Sequence, residues 1–200
     1  MKQTLKYLLL LLCCWGCKLT TDTYVANVEE HRRNIDALFS NEKASPLNDI
    51  DRAAFKGLEY FPIDKNFSVD ARIEKYHSVR YLELKHTLNR TYPFIVWGVA
   101  HFKLLNDSCK LTIYLTAEKK TKTNMLFIPF KDASNGMETY GGGRYLDMEM
   151  PTGNTANLDF NLAYNPNCAY SDNWSCPLVP EENTLQTAVR AGVKTFERQH

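Results

Sequence analysis

The sequence predicts a mainly β chain: a single antiparallel β-barrel or sandwich of about seven or more short strands, preceded by one N-terminal helix. Three observations predict it. Apolar residues recur at helical spacing between Thr21 and Ser40, the period switches to two after Asp64, and turn-forming residues then interrupt the apolar runs at short intervals. With 200 residues, 44% of them apolar, the chain is long enough for one domain with a substantial core.

The chain opens with Met1, Lys2 and Lys6, then the apolar run Tyr7 to Trp15, then Gly16-Cys17. The run is shorter than the roughly 20 residues needed to cross a bilayer, so it reads as an export leader. Gly16 before Cys17 resembles a lipoprotein cleavage box, although Cys14 stands where an aliphatic residue is usual. Residues 1–16 therefore read as a lipoprotein-type signal peptide, and Cys17 as the lipidated first residue of a single β-rich domain, 17–200. The alternative is a plain secretory leader cut nearby. Lipidation predicts a cell-envelope protein tethered to a bacterial membrane, on the periplasmic or outer-membrane face.

In the helix, about 21–40, Val25, Val28, Ile35, Leu38 and Phe39 share a face, with Asp22 placed to cap it. Asn41 to Asp51 reads as a loop, and Phe55 to Leu58 as an apolar plug leading into Tyr60-Phe61-Pro62. The strand core, about 67–164, begins with the alternation of Val69, Ala71 and Ile73, followed by a strand from Val79 to Leu84. Phe94 to Leu105 is apolar on both parities and reads as a central strand covered on both faces. Asn106-Asp107-Ser108 turns the chain into the alternation of Leu111, Ile113 and Leu115. Met125 to Phe130 is another strand, where Pro129 argues for an edge or a bulge. No internal repeat or low-complexity segment is present.

The most particular stretch runs from Thr139 to Glu182. Gly141-Gly142-Gly143 could leave several N–H groups pointing into one anion-binding concavity, or could simply turn the chain. Arg144 follows, on the parity of Leu146, Met148 and Met150, and an arginine on an apolar face needs a partner. Tyr145 lies on the opposite face. Pro151 to Asn154 reads as a hairpin turn, and in the returning strand Asp159 and Asn161 share one face opposite Leu158, Phe160 and Leu162. If the two strands pair, Asp159 meets Arg144 or Tyr145; the alternative is a solvated outer face. Tyr164-Asn165-Pro166 ends the strand and begins a Pro/Cys loop and C-terminal tail, 165–200. Cys168 and Cys176 bracket a short loop, and in an exported chain a disulfide across it is the simplest reading. Two cysteines with no histidine nearby make a poor zinc site, and no residue pattern asks for a metal or cofactor.

The formal net charge of +1 becomes −1 once Lys2 and Lys6 leave with the signal peptide. Neither value suits a nucleic-acid binder, which carries a basic excess or stripe; Lys119-Lys120 with Lys122 reads as a solvated loop. There is no Gly-x-Ser-x-Gly elbow, phosphate loop, dinucleotide fingerprint or His-Glu-x-x-His. Cys109 reads as a small buried apolar residue, and His101 as a hydrogen-bonded imidazole rather than a ligand or base.

Several segments resemble a bacterial family named only as domain of unknown function 1684. They are SPL at Ser45 to Leu47, FKGLEYFPID at Phe55 to Asp64, ETYGGGRYLD at Glu138 to Asp147, LDFNLAYNPNCAY at Leu158 to Tyr170, CPLVPEEN at Cys176 to Asn183, and AGVK at Ala191 to Lys194. Val179 departs from the pattern, since members usually carry a proline there. The resemblance implies a single domain with its typical residues around the Thr139 to Glu182 stretch. It implies no activity.

Three functions are consistent with these residues. In the first, a membrane-tethered module binds a polar or anionic small molecule through Gly141, Gly142, Gly143, Arg144, Tyr145, Asp159 and Asn161, with Asn165 and Glu182 as further candidates. The second is an envelope hydrolase or transferase with Asp159 or Glu182 as base and Arg144 with the glycine amides as oxyanion site. The third is a structural or assembly protein, in which the same residues lock the last hairpin to the cysteine loop.

Overall fold

The computed structural model describes residues 23–117 and 124–199. The leader, Cys17 and the expected cap Asp22 lie outside the described residues. Helix α1 (Thr23–Ser40) is followed by a short helix α2 (Asp49–Ala54), then strands β1 (Ser68–Lys75), β2 (Tyr81–Lys85), β3 (Thr91–Leu104), β4 (Asp107–Thr116), β5 (Met125–Phe130), β6 (Arg144–Glu149) and β7 (Thr155–Asp159). The strands form one antiparallel sheet in the order β6-β5-β4-β3-β1-β7, with β2 also paired to β3, curled into a half-barrel. α2 lies partly in the stretch expected to be loop. Asn48 makes it possible by accepting the Asp51 N–H at 2.8 Å as N-cap.

β3 is the organising strand. Its first half pairs with β2 and its second half with β1, while β4 runs along its other edge. The register with β4 shifts between Val96 and Gly98, and one extra residue reverses which face the following side chains occupy. Before the bulge, Phe94 and Val96 join Leu84 and Tyr114 in an outer cluster; after it, Ala100, Phe102 and Leu104 enter the main core. The apolar run on both parities thus has a single cause. In the β3–β4 turn, Leu104 and Asp107 form the last pair and Leu105 takes a positive φ of 54°, so the reversal occurs one residue earlier than Asn106-Asp107-Ser108 suggests.

Pro129 is on neither an edge nor a bulge. β5 lies between β4 and β6, but it pairs with β4 only at Tyr114–Phe127. Asn183 fills the gap: its side-chain amide donates to Thr112 O at 2.9 Å and to Pro129 O at 2.7 Å, and accepts from Thr112 N at 2.7 Å. The N–H that proline lacks would point into this same gap, where no strand partner waits for it.

The turn at Pro151 to Asn154 does not form a hairpin. β6 pairs with β5 and β7 with β1, so the chain crosses from one edge of the sheet to the other. β7 stops at Asp159, which caps a 3-10 turn over Phe160–Leu162 by accepting the Asn161 N–H at 3.0 Å. Beyond it, Tyr145 and Tyr164 exchange two backbone hydrogen bonds at 2.8 and 3.0 Å and draw the β6 edge toward the segment that follows β7. α1 lies over this region, burying Val28 and Phe39. Among the described residues no helix is long and apolar enough to cross a membrane.

Candidate functional site

Arg144 has no face open to a ligand. Its side chain is 0% exposed and pairs with the equally sealed Asp132 at 2.9 Å. Its two terminal nitrogens also reach the C-terminal tail, at Val189 O (2.7 Å), Ala191 O (2.5 Å) and Val193 O (3.3 Å), and Nε is buried without a partner. Asp132 in turn accepts from Ser134 N and Oγ and from Val189 N. Nor does the glycine turn form an anion nest. A Cβ on Gly142 would fall 2.4 Å from the Tyr140 ring, and Gly143, at φ +93°, is enclosed by Val179 and Phe130 O. These positions are glycine because nothing larger fits, and the Gly143 N–H is already bonded to Tyr140 O at 3.0 Å.

The other expected site residues are dispersed. Asp159, on the opposite sheet edge from Arg144, accepts from Tyr24 Oη at 3.0 Å and from the Asn161 side chain at 2.9 Å. Asn161 also donates to Tyr24 Oη and Asp64 O and accepts from Asp64 N, so it pins α1 to the chain entering β1. Burial, with Asp159 beside it, raises the Tyr24 pKa to about 12. Tyr145 donates to Pro177 O at 2.5 Å, beneath the cysteine loop. Glu182 accepts from Tyr114 Oη at 3.0 Å on an exposed turn far along the tail. Cys168 and Cys176 are both buried thiols, with the Cys168 N–H donating to Cys176 Sγ at 3.1 Å. A hydrogen bond from the Cys176 thiol lowers the Cys168 pKa to about 7, and the same contact raises that of Cys176.

A different cavity holds two of the buried polar atoms that lack partners, Tyr60 Oη and Asn165 Oδ1. Between α1, the turn after β7 and the tail lies a cleft of about 320 Å³. Ile35, Leu38, Leu58, Leu162 and Val193 give it an apolar lining, and Tyr60, Asp147, Tyr164 and Asn165 supply polar atoms. Asn165 is 2% exposed; its Nδ2 donates to Lys194 O at 2.9 Å, but its Oδ1 has no partner, and neither has Tyr60 Oη. A buried acceptor without a donor is costly, which makes it a mark of a site built for something else. Asp147 stands at the rim and accepts from Tyr164 Oη at 2.9 Å. Protein crowding on its inner side raises its pKa, and burial raises that of Tyr164 further above the phenol range. His31, Asp147 and Leu162 also border a more open groove of about 570 Å³ on the other side. Burial, then the neighbouring Arg32, lowers the His31 pKa.

A further depression, of about 720 Å³, lies over Asp70, Arg72, His101, Lys103 and Lys110 on the outer sheet face. None of the unpartnered buried atoms belongs to it. His101 at its edge bonds Glu74 at 3.0 Å, a surface pair.

A family model described as Protein of unknown function (DUF1684) matches residues 53–194. The chain belongs to that family. This DUF1684 chain is also similar, at 36% identity, to an uncharacterized protein of Haloarcula marismortui whose solution NMR structure is known; the match covers 86% of this chain and 94% of that one, with a TM-score of 0.69. No curated protein matches. The stretch matched by the DUF1684 model contains Asp147, Tyr164 and Asn165 but not α1, which supplies His31, Ile35, Leu38 and Phe39 to the cleft.

Of the residues expected to bind, only Asn161 and Asn165 line this DUF1684 cleft. Sequence reasoning missed Asp132, Asp147, Tyr164 and Asn183. Asp147 had a signal: it is a carboxylate at an outward position of a strand whose other parity is buried. Asp132 sits in an irregular segment and Asn183 in a single 3-10 turn, where no periodicity marks a buried residue.

Proposed function

We propose that this protein is an exported, lipid-tethered module that binds a small molecule in the cleft beneath α1. The observation that carries the reading is the unpartnered Oδ1 of Asn165, buried beside an apolar lining large enough for a small organic ligand. The anion site built on Arg144 and the glycine turn is replaced, because the guanidinium is already spent on Asp132 and three carbonyls. The lipid tether is supported by the leader and Gly16-Cys17, six residues before α1 begins. Native mass spectrometry of the protein isolated from its own envelope tests the reading. A co-purifying small molecule is expected, absent from Leu38→Trp, where a larger ring at a half-exposed rim position blocks the mouth. Empty wild-type protein that also binds nothing added to it would remove the proposal.

A structural role in the envelope is the second reading. It is favoured by the way Arg144, Tyr145 and Asn183 tie the sheet to the cysteine loop and tail. The hydrolase reading has less support, since Asp159 is engaged by Tyr24 and Asn161, Glu182 is exposed, and neither faces Arg144.

A further inference from the structure

The charge around the cleft is one-sided. Asp147 lines the cleft, and Glu149 and Asp159 join it in the groove that shares His31, Asp147 and Leu162 with the cleft; no lysine or arginine lines either among the described residues. Two cations lie over lining residues: Arg32 donates from Nη1 to Phe61 O and covers the Tyr60 ring at 4.5 Å, with its Nε and Nη2 unpartnered, and Lys65 lies over Tyr24 at 5.4 Å. Asp147 has no cationic partner among the described residues and takes one hydrogen bond, from Tyr164. Asn165 Oδ1, an independent buried acceptor, has none. The cleft thus has no lysine or arginine in its lining, leaves Asn165 Oδ1 without a donor, and has aromatic surface from Tyr164 and Tyr170 on which a cation is favoured.

We propose that the cleft takes an amphipathic organic amine, whose ammonium faces Asp147 and supplies the donor that Asn165 Oδ1 lacks, and whose apolar body lies against Leu38, Leu58 and Leu162. The assignment rests on reading the cleft as a ligand site. A carboxylate or phosphate ligand would meet the Asn165 Oδ1 acceptor and the like charge of Asp147, a combination that disfavours it. A neutral alcohol would serve Asn165 and leave Asp147 without a counter-charge. A metal ion finds no group of three or more His, Cys, Asp or Glu among the described residues, and an apolar wall offers it nothing. The raised pKa of Asp147 agrees with a carboxylate whose counter-ion arrives with the ligand.

Four probes that share an eight-carbon chain test the class by titration calorimetry on the purified protein at pH 7: octylamine, octyltrimethylammonium, octanol and octanoate. Octylamine is expected to bind at least about tenfold more tightly than octanol, with octanoate weakest. Octyltrimethylammonium, which has the charge but no N–H, should fall between octylamine and octanol. Asp147→Asn, at an exposed rim position, should weaken octylamine about tenfold or more and leave octanol unchanged. If octanol or octanoate matches octylamine, or Asp147→Asn leaves octylamine unaffected, the amine assignment falls and the ligand site stands. If none of the four binds while the protein remains folded, both fall.

Discussion

Arg144 shows how far a residue's role depends on what faces it. A buried ion pair contributes little over a well-packed apolar pair, but removing one member strands the other in a low-dielectric interior. Arg144→Ala would leave Asp132 charged and unpaired and release three tail carbonyls. Loss of about 3–5 kcal/mol is expected, read as a fall in the urea midpoint, with no loss of affinity beyond that caused by unfolding. Asp147 predicts the opposite sign. Its pKa is raised by burial, so the folded state binds its proton more tightly than the unfolded chain does. Its relative contribution to stability is therefore fully present below the unfolded carboxyl value of about 3.9 and is lost as pH rises through the raised folded value. At neutral pH without ligand, Asp147→Asn should be more stable than the wild type, and the gap should close as the pH is lowered to about 3.9. A gap that is absent at pH 7, or that widens in acid, would refute this assignment of the cleft carboxylate.

At the scale of elements, α1 differs from the sheet it covers. Over 18 residues it buries only Val28 and Phe39 fully, with Ile35 half-buried and Leu38 43% exposed at the cleft mouth. Phe39 is the firm anchor, edge-on to Tyr170 at 4.7 Å and stacked on Phe55 at 5.7 Å. The N-terminal half depends on Val28 and on the Tyr24–Asp159–Asn161 hydrogen bonds. A helix with so little buried surface opens locally at less cost than the β3–β4 hairpin, whose Leu104, Leu111 and Ile113 are wholly enclosed. Amide exchange in α1 should therefore be faster than in β3 and β4, and saturating octylamine should slow it selectively. Equal protection of helix and hairpin without ligand would show that α1 is not the movable wall of the cleft.

Over the whole molecule, the half-barrel is closed by segments that have no regular structure. Lys131 pairs with Thr184, Tyr60 with Val193, and Tyr145 with Tyr164, while Val189, Ala191 and Val193 lie inside. The tail carries three of the carbonyls that satisfy Arg144, and its backbone N–H at Val189 donates to Asp132. A chain ending at Ala188 would expose the core and leave a buried ion pair half-solvated. It should lose the cooperative thermal transition by circular dichroism, and a sharp transition in that truncated chain would mean that the tail only decorates the sheet.

Much of the architecture was legible in the residues because periodicity is a local property. The α1 face, the seven strands and the approximate limits of all but β7 follow from which neighbours are apolar, and the two-sided run in β3 is itself the trace of a bulge. Pairing is not local. That β6 and β7 lie on opposite edges, that Pro129 faces a gap filled by Asn183, and that Arg144 meets Asp132 rather than Asp159 all depend on segments far apart in the chain. By itself the sequence determined the class of fold, its elements, its family likeness and the residues too polar to be mere packing. Only the tertiary structure decided which of those polar groups are satisfied, and so moved the candidate site from the buried arginine to the cleft where Asn165 Oδ1 lacks a donor and Asp147, bonded to Tyr164, lacks a counter-charge. The physical reason is that a hydrogen bond or ion pair is completed by a partner brought near in space, which sequence spacing does not encode.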